Sequence, residues 1–356
     1  MKSLDLIREL SLAGAISGCE REIVNILDKY ISHASEIRKD KMGSVNYIFT
    51  GKASRPRIML IAHMDEIGFI VSKLEDSGFL RIHPVGGWNP DTLLSSMVEV
   101  INRRGERYPG VIGSVPVHFL KDKNENVKLE IKDMFVDIGA RSLSDLEDNF
   151  AIRLGDQVLP LAHFFYQQKN ETIISKAFDD RIGIAALVEI ARWLADNEHP
   201  NEVHCFASVQ EEVGTRGART AALYSNADIC IVLEGAPADD IPGIGDYSQT
   251  AVGKGVHLRL YDPALLVKRE LRDFMIETAE KHKIRYQQAV RKYGRTDGGE
   301  IQTANYGTPA IVLGVPVRYA HSHQGIICLT DYQELLKFLQ IILSELDMQA
   351  WEIIRG

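Results

Sequence analysis

The chain of 356 residues is expected to fold as an α/β protein. A mostly parallel sheet is sandwiched by helices and interrupted by a small inserted all-β segment. Three observations predict this class. The runs Ile58–Ala62 and Ile229–Leu233 are apolar throughout, as strands buried on both faces of a sheet are. Strand-like runs alternate with amphipathic helical stretches near both ends of the chain, the pattern of a helix-covered parallel sheet. Between Gly68 and His163 that alternation stops, and short β-type segments punctuated by Gly, Pro, Asp and Asn take over. At roughly 100–200 residues per domain the length suits about two domains. They are expected as residues 1–67 with 164–356, and residues 68–163.

Each element has its own signal. Two helices open the chain, the second starting on a capping box at Ser17-Gly18-Cys19-Glu20 and burying Ile23, Ile26, Leu27, Tyr30 and Ile31. Strands Val45–Phe49 and Ile58–Ala62 follow. The inserted segment supplies Phe69–Lys73, Met97–Ile101, Gly110–Val115, Met134–Ile138 and Gln157–Pro160, with no helix of three turns. Beyond it come helix Arg181–Asp196, strand Val203–Val209, a short helix at Ala218–Leu223 and strand Ile229–Leu233. A helix from Ala264 to Lys281, strands Ile284–Val290 and Ala310–Val312, and a last helix capped at Thr330-Asp331-Tyr332-Gln333 complete the series.

Composition narrows the function. With 45% hydrophobic and 25% charged residues, the chain is not disordered, collagen-like or a coiled coil. Forty-nine acids against 41 bases leave a net charge of −8, and Arg103-Arg104 shows how short the basic runs are. Nucleic acid is therefore not an expected partner. The apolar runs are too short to span a bilayer. Charges interrupt the N-terminal leucines, so neither membrane insertion nor secretion is implied. Cys19, Cys205, Cys230 and Cys328 are scattered without a CxxC and read as thiols of a reducing compartment, with cytoplasm the expected location.

In open α/β sheets ligands bind outside the carboxyl ends of the strands. Polar residues follow strands at His63-Met64-Asp65-Glu66, Asp179-Asp180-Arg181, Gln210-Glu211-Glu212, Glu234-Gly235 and His321-Ser322-His323. Singly, each has an ordinary reading: a carboxylate before a helix caps its free N–H groups, and a paired glutamate is a solvated loop. Together they form an N/O donor set suited to zinc, cobalt or manganese, and the lack of cysteine argues against a structural zinc. Two cations about 3.5–4 Å apart that share a carboxylate and a water bring that water's pKa toward neutrality. A carboxylate outside the ligand set then moves the proton. Adjacent Glu211 and Glu212 point to opposite sides of an extended chain, so one can bind metal while the other faces the water. Asp65 lies two residues beyond His63, within reach of the imidazole's second nitrogen.

The segments Ala62-His63-Met64-Asp65-Glu66-Ile67-Gly68, Ala177-Phe178-Asp179-Asp180-Arg181-Ile182-Gly183, Gln210-Glu211-Glu212-Val213-Gly214-Thr215-Arg216-Gly217-Ala218 and Arg318-Tyr319-Ala320-His321-Ser322 resemble the glutamyl/deblocking metallo-aminopeptidases. These are the TET-type branch of the dinuclear zinc exopeptidases, some of them labelled endoglucanases. The resemblance implies two divalent metals held by His63, Asp179, Glu212, Glu234 and His321. It makes Asp179 the bridge ahead of a cis peptide, Glu211 the general acid/base and Asp65 an orienting group. It also implies short peptides with a free N-terminus as substrates. The inserted segment becomes a dimerisation domain, in a homo-oligomer that is at least a dimer and in relatives a tetrahedral dodecamer. Two departures stand out. Glu234 occupies a position that is often Asp. The Gly-rich loop Tyr293–Glu300 carries Arg295 where relatives usually have Gly, and it offers Arg295, Asp297 and Gly298 as substrate contacts. Arg295 could pair with an acidic side chain, or it is a solvated loop residue. His83, His118, His163 and His204 match no ligand motif.

Three other readings remain. An amidohydrolase or deacylase of small N-acyl compounds would use the same metals. An endoglucanase would need two carboxylates flanking a glycosidic bond, leaving the histidines unexplained. A non-catalytic scaffold would leave the whole donor set idle.

Overall fold

The computed structural model describes residues 2–116 and 129–356. Helices α1 (Ser3–Leu12) and α2 (Arg21–Tyr30) lead into strands β1 (Glu36–Lys39), β2 (Val45–Phe49) and β3 (Arg57–His63). Then come β4 (Gly68–Leu74), β5 (Leu80–Val85), β6 (Met97–Ile101), β7 (Arg107–Gly113), β8 (Phe135–Asp137) and β9 (Gln157–Pro160). They are followed by β10 (Phe165–Gln167), β11 (Thr172–Ser175), α3 (Phe178–Asp196), β12 (Glu202–Ser208), α4 (Arg216–Ser225) and β13 (Ile229–Pro237). The chain ends with β14 (Val256–Tyr261), α5 (Arg269–Lys281), β15 (Tyr286–Val290), α6 (Asp297–Thr303), β16 (Ala310–Val317), β17 (Gly325–Cys328), α7 (Leu329–Glu345) and α8 (Met348–Arg355).

One eight-stranded sheet has the order β1-β2-β12-β3-β13-β16-β14-β15. Its four central strands, β12, β3, β13 and β16, run parallel, while β1, β2 and β14 pair antiparallel at the flanks. The sheet is thus a mixed one with a parallel heart. Ile58–Ala62, Ile229–Leu233 and Ala310–Val315 are buried almost without exception, because α3 and α7 pack on one face and α4 and α6 on the other side of β12 and β13. A fully buried Ile, Leu or Val side chain contributes about 1.5–3 kcal/mol, and these strands supply most of that core.

The second unit is a closed barrel, β4-β5-β8-β7-β6-β9. Closure comes from β4 pairing with β9 through Phe69↔Val158. Phe69, Val71, Leu80, Ile82, Val98, Val100, Ile112, Val136 and Val158 fill it. Among the described residues the stretch from Gly68 to His163 holds only single turns, at Pro90–Thr92, Ile131–Asp133 and Asp145–Asn149, as its punctuated sequence implies. A third small cluster, Ile16, Val85, Ile101 and Leu159, joins the barrel to the segment after α1.

Three sequence expectations fail locally. Neither capping box forms: Ser17 donates to Asp65 at 2.6 Å instead, and Asp331 accepts from Gly253 and Gly255 rather than from its own helix. Helix α5 starts five residues later than expected. Asp262 accepts from the N–H groups of Ala264 and Leu265 and Leu266 pairs with Tyr261, turning the chain before the helix can begin. Strands β1, β10, β11 and β17 and helices α6 and α8 went unread because they are short or half-exposed, and β5 and β14 because polar residues interrupt their apolar ones. No helix among the described residues is long and apolar enough to cross a membrane, and the four cysteines are free thiols.

Candidate metal centre

The parallel heart brings the carboxyl ends of β3, β12, β13 and β16 to one edge. His63 closes β3 in register with Ser208 of β12. The loop after β12 carries Glu211 and Glu212, β13 carries Glu234 opposite Gly314 of β16, and the loop after β16 carries His321. The chain is left-handed at Ala177, Gln210 and His321, with φ of 56, 57 and 58°. Non-glycine residues seldom adopt that region and tend to cluster at functional sites when they do.

Asp179 and Asp180 divide sharply. They are joined by a cis peptide bond and lie outside helical geometry at the start of α3. Asp180 spends its carboxylate on the backbone N–H groups of His63 (3.1 Å), Gly183 (3.1 Å) and Gly235 (2.9 Å), tying β3, α3 and β13 together. Asp179 instead lies 3.1 Å from His63 Nε2 and 3.3 Å from His321 Nε2, between the two imidazoles. The clamp demands glycine at 235, where a Cβ would come within 2.3 Å of the Phe178 carbonyl oxygen and 2.8 Å of the Asp179 nitrogen. Gly235→Ala is expected to push Asp179 out of place and cut kcat at least tenfold, since misplacing a reacting group by an ångström costs about 100-fold. Steady-state kinetics with far-UV circular dichroism to confirm folding checks this, and a fully active variant would refute the close-approach argument.

Both imidazoles are aimed. His63 donates from Nδ1 to the Asp65 carbonyl at 3.0 Å, and His321 donates from Nδ1 to the Gly87 carbonyl at 3.1 Å. Each Nε2 is thereby left facing the carboxylates. The Gly87 contact shows the barrel reaching into the centre. Glu212 lies 3.4 Å from His321 Nε2. One group of possible donors is His63, Asp179 and Glu212, and another is His63, Asp180 and Glu234. Glu211 belongs to neither. Asp65 sets the division by accepting from the Glu211 N–H at 3.0 Å and the Glu212 N–H at 3.1 Å, so one buried carboxylate pins both glutamates.

Electrostatically the centre is short of positive charge. Burial pushes Glu211 well above the usual carboxylate range, and burial and neighbouring Asp179 bring Glu234 up to about 8. Glu212 also rises to about 8, through burial and despite the opposing pull of His321. Burial would lower His321, but its hydrogen bond to Asp179 and the charge of Glu212 raise it to about 10. Among the described residues no lysine or arginine forms an ion pair with Asp179, Glu211, Glu212 or Glu234; Asp179 meets His63 and His321, and Glu212 meets His321. Buried carboxylates in this number require cations, and imidazole with carboxylate is the donor set that divalent zinc, cobalt or manganese takes. The residues present fit divalent cations of this kind.

A cavity of about 220 Å³ opens on the centre, lined by His63, Asp179, Glu211, Glu234, His321, Arg259 and Arg295 among others. Of the three candidate substrate contacts, Arg295 reaches this cavity while remaining largely solvent-exposed. Asp297 is buried and accepts from Ser208 at 2.6 Å. Gly298 lies against Val232, Leu265 and Thr296. His204 is bound to Asn46 and Glu202 far along the sheet, His163 and His323 line a neighbouring cavity, and His118 lies outside the described residues. Sequence reasoning missed Asp180 as a backbone clamp, Gly87, Ser17 and Arg259. Asp180 stood in a strand-end motif and Ser17 in a cap signature, neither pointing to the role found, and Arg259 alternates as a cation with apolar residues in Val256-His257-Leu258-Arg259-Leu260.

Residues 43–338 match the family model described as M42 glutamyl aminopeptidase. The chain is 33% identical to a glutamyl aminopeptidase of Lactococcus lactis, covering 98% of both chains. It is 31% identical to a lysyl aminopeptidase of Pyrococcus furiosus, over 97% of this chain and 98% of that one. Its structure superposes with a TM-score of 0.95 on a TET aminopeptidase from the archaeon Thaumarchaeota archaeon SCGC AB-539-E09, at 38% identity and 98% coverage of each chain.

Proposed function

The chain belongs to the M42 glutamyl aminopeptidase family and is an aminopeptidase, and from that premise we propose how its own residues carry the reaction. His63, Asp179, Glu212, Glu234 and His321 would hold two divalent cations, zinc, cobalt or manganese, with Asp179 shared. Such ions, when bound, polarise the scissile carbonyl and make a water acidic near neutral pH. Glu211 takes the water's proton and delivers it to the leaving amine nitrogen. Asp65 fixes the backbone of Glu211 and Glu212 and sits beside His63, keeping base and ligand in register. The substrate's α-ammonium finds the acidic wall of Glu234 and Asp179, so peptides with a free N-terminus are selected and single residues leave.

The observation that carries this reading is the position of Asp179 between two imidazoles, with Glu211 on the same cavity and outside the donor groups. A panel of short peptides, each with a free and an N-acetylated terminus, tests it on chelator-stripped protein resupplied with zinc, cobalt or manganese. Release of single N-terminal residues is expected from the free peptides alone, and only with metal. Cleavage of the acetylated members would move the assignment to a deacylase.

The reading extends to the architecture. Residues 1–67 and 164–356 would form the catalytic domain and residues 68–163 a dimerisation domain, in a cytoplasmic homo-oligomer of the tetrahedral kind. Exposed Leu94, Met97, Val111 and Leu154 on the barrel segment supply apolar surface for such contacts.

A further inference from the structure

Three consecutive backbone N–H groups of the loop after β12 meet buried carboxylates. Asp65 takes those of Glu211 and Glu212, and Glu20 Oε1 takes that of Gln210 at 3.1 Å. Glu20 is only 6% exposed, and none of the steps above uses it. The same oxygen accepts from the Gly18 N–H at 2.7 Å, which ties the carboxylate to its own turn. Ser17, in that turn, donates to Asp65. The short connection between α1 and α2 therefore grips both carboxylates that hold the loop.

The grip falls where the loop needs it. Gln210 is left-handed, with φ of 57°, and a non-glycine residue keeps that conformation only when its surroundings impose it. Beyond the turn the loop closes on itself: Gly214 and Thr215 donate to the Glu211 carbonyl, and Arg216 to the Gln210 carbonyl. The Gln210 N–H has Glu20 as its partner instead, 190 residues away in sequence. Cys19 and Val213 pack on one cluster with Ile16, and Ile16 pairs with Glu66, so the connection is anchored at the end of β3 as well. The charges that bear most on Glu211 are those of His63, Asp297, Glu212 and Glu234. The hold of Glu20 is on the backbone.

We propose that Glu20 is a positioning residue for proton transfer: it anchors the left-handed turn at Gln210 and so fixes the direction from which Glu211 meets the water. The inference rests on the reading of Glu211 as general acid/base. The role needs an acceptor oxygen at one place, not a charge. Burial pushes Glu20 up to about 7, so a neutral glutamine of the same shape is a close substitute.

Hydrolysis of Glu, Leu and Lys p-nitroanilides by metal-loaded enzyme provides the test. Glu20→Ala is expected to lower kcat by about 10- to 100-fold on every substrate cleaved, the scale of a displaced reacting group. KM is expected to stay within about threefold, and metal content by mass spectrometry to be unchanged. Glu20→Gln is expected to recover kcat to within about threefold of wild type. Glu20→Asp, its carboxylate drawn back by one methylene, is expected to fall between them, and it keeps the test decisive if Glu20→Ala fails to fold. In a Glu211→Gln background, Glu20→Ala is expected to cost no more than about twofold further, because no base is left to aim. Four results would overturn the inference and leave the aminopeptidase standing: full kcat in Glu20→Ala or Glu20→Asp, loss of metal or a matching rise in KM, no recovery with glutamine, or the whole factor lost again in the Glu211→Gln background. Glu211→Gln as fast as wild type would instead overturn the base assignment, and the inference with it.

Discussion

Glu211→Gln is expected to lower kcat by about three orders of magnitude, within the 100- to 10,000-fold that a positioned general acid/base contributes, while the protein keeps its full metal content. The two adjacent glutamates differ in their surroundings. Glu212 lies against His321 and within a donor group with His63 and Asp179. Glu211 faces the same cavity with no ion pair among the described residues. Glutamine keeps the volume and removes only the capacity to accept a proton, so KM is expected to stay within a few-fold while kcat collapses. Glu212→Gln is the contrasting variant, expected to lose metal. Metal analysis beside kinetics decides the matter: metal lost in Glu211→Gln and retained in Glu212→Gln would exchange the two roles.

Arg181→Met is expected to destabilise the fold by about 3–5 kcal/mol, the cost of breaking a buried charged network by removing one partner. Arg181 is almost fully buried and donates to the carbonyls of Leu10, Ala13, Ala15 and Met64 and to the Glu66 carboxylate. Lys176 closes the network, donating to Glu66 and to the Ala13 carbonyl. Helix α1 ends with unsatisfied carbonyls, and the two cations cap them where the dipole favours positive charge. Methionine fills a comparable volume but takes the guanidinium away from the Leu10 and Met64 carbonyls and leaves half of Glu66's pairing unmet, while Ala13 and Ala15 keep Lys176 and the Glu66 N–H as donors. Urea unfolding followed by circular dichroism checks the figure, and an unchanged midpoint would sink the argument. Arg181→Lys should fall in between, because an ammonium cannot reach both sides of that fork.

How far the sequence could be read follows from what each feature depends on. The parallel heart was legible because Ile58–Ala62 and Ile229–Leu233 are apolar without interruption, and only a doubly covered strand needs that. The centre was legible as a set of polar residues at strand ends, and the chemistry of that set narrowed the metals. What stayed hidden is set by tertiary contact. Nothing local distinguishes Asp179 from Asp180; the difference is that three backbone N–H groups from distant positions converge on Asp180. Ser17 carries a cap signature that its helix does not use, because Asp65 offers a charged acceptor at 2.6 Å. Gly87 orients His321 through a carbonyl, and a carbonyl has no residue signature. The arginine in the Gly-rich loop is exposed, while the buried one sits on β14, where His257 and Arg259 interrupt the apolar residues.

The spread of the donors along the chain has a consequence for synthesis. His63 is made first, Asp179 later and His321 last of the donors, yet Asp179 needs both imidazoles and His321 needs Gly87 from the segment between β5 and β6. Chains fold from the N-terminus as they are made, so a nascent chain carries the barrel and half the donors but no finished centre. The centre is therefore complete only once the loop carrying His321 has been made and has met Gly87, so no shorter nascent chain holds the full donor set.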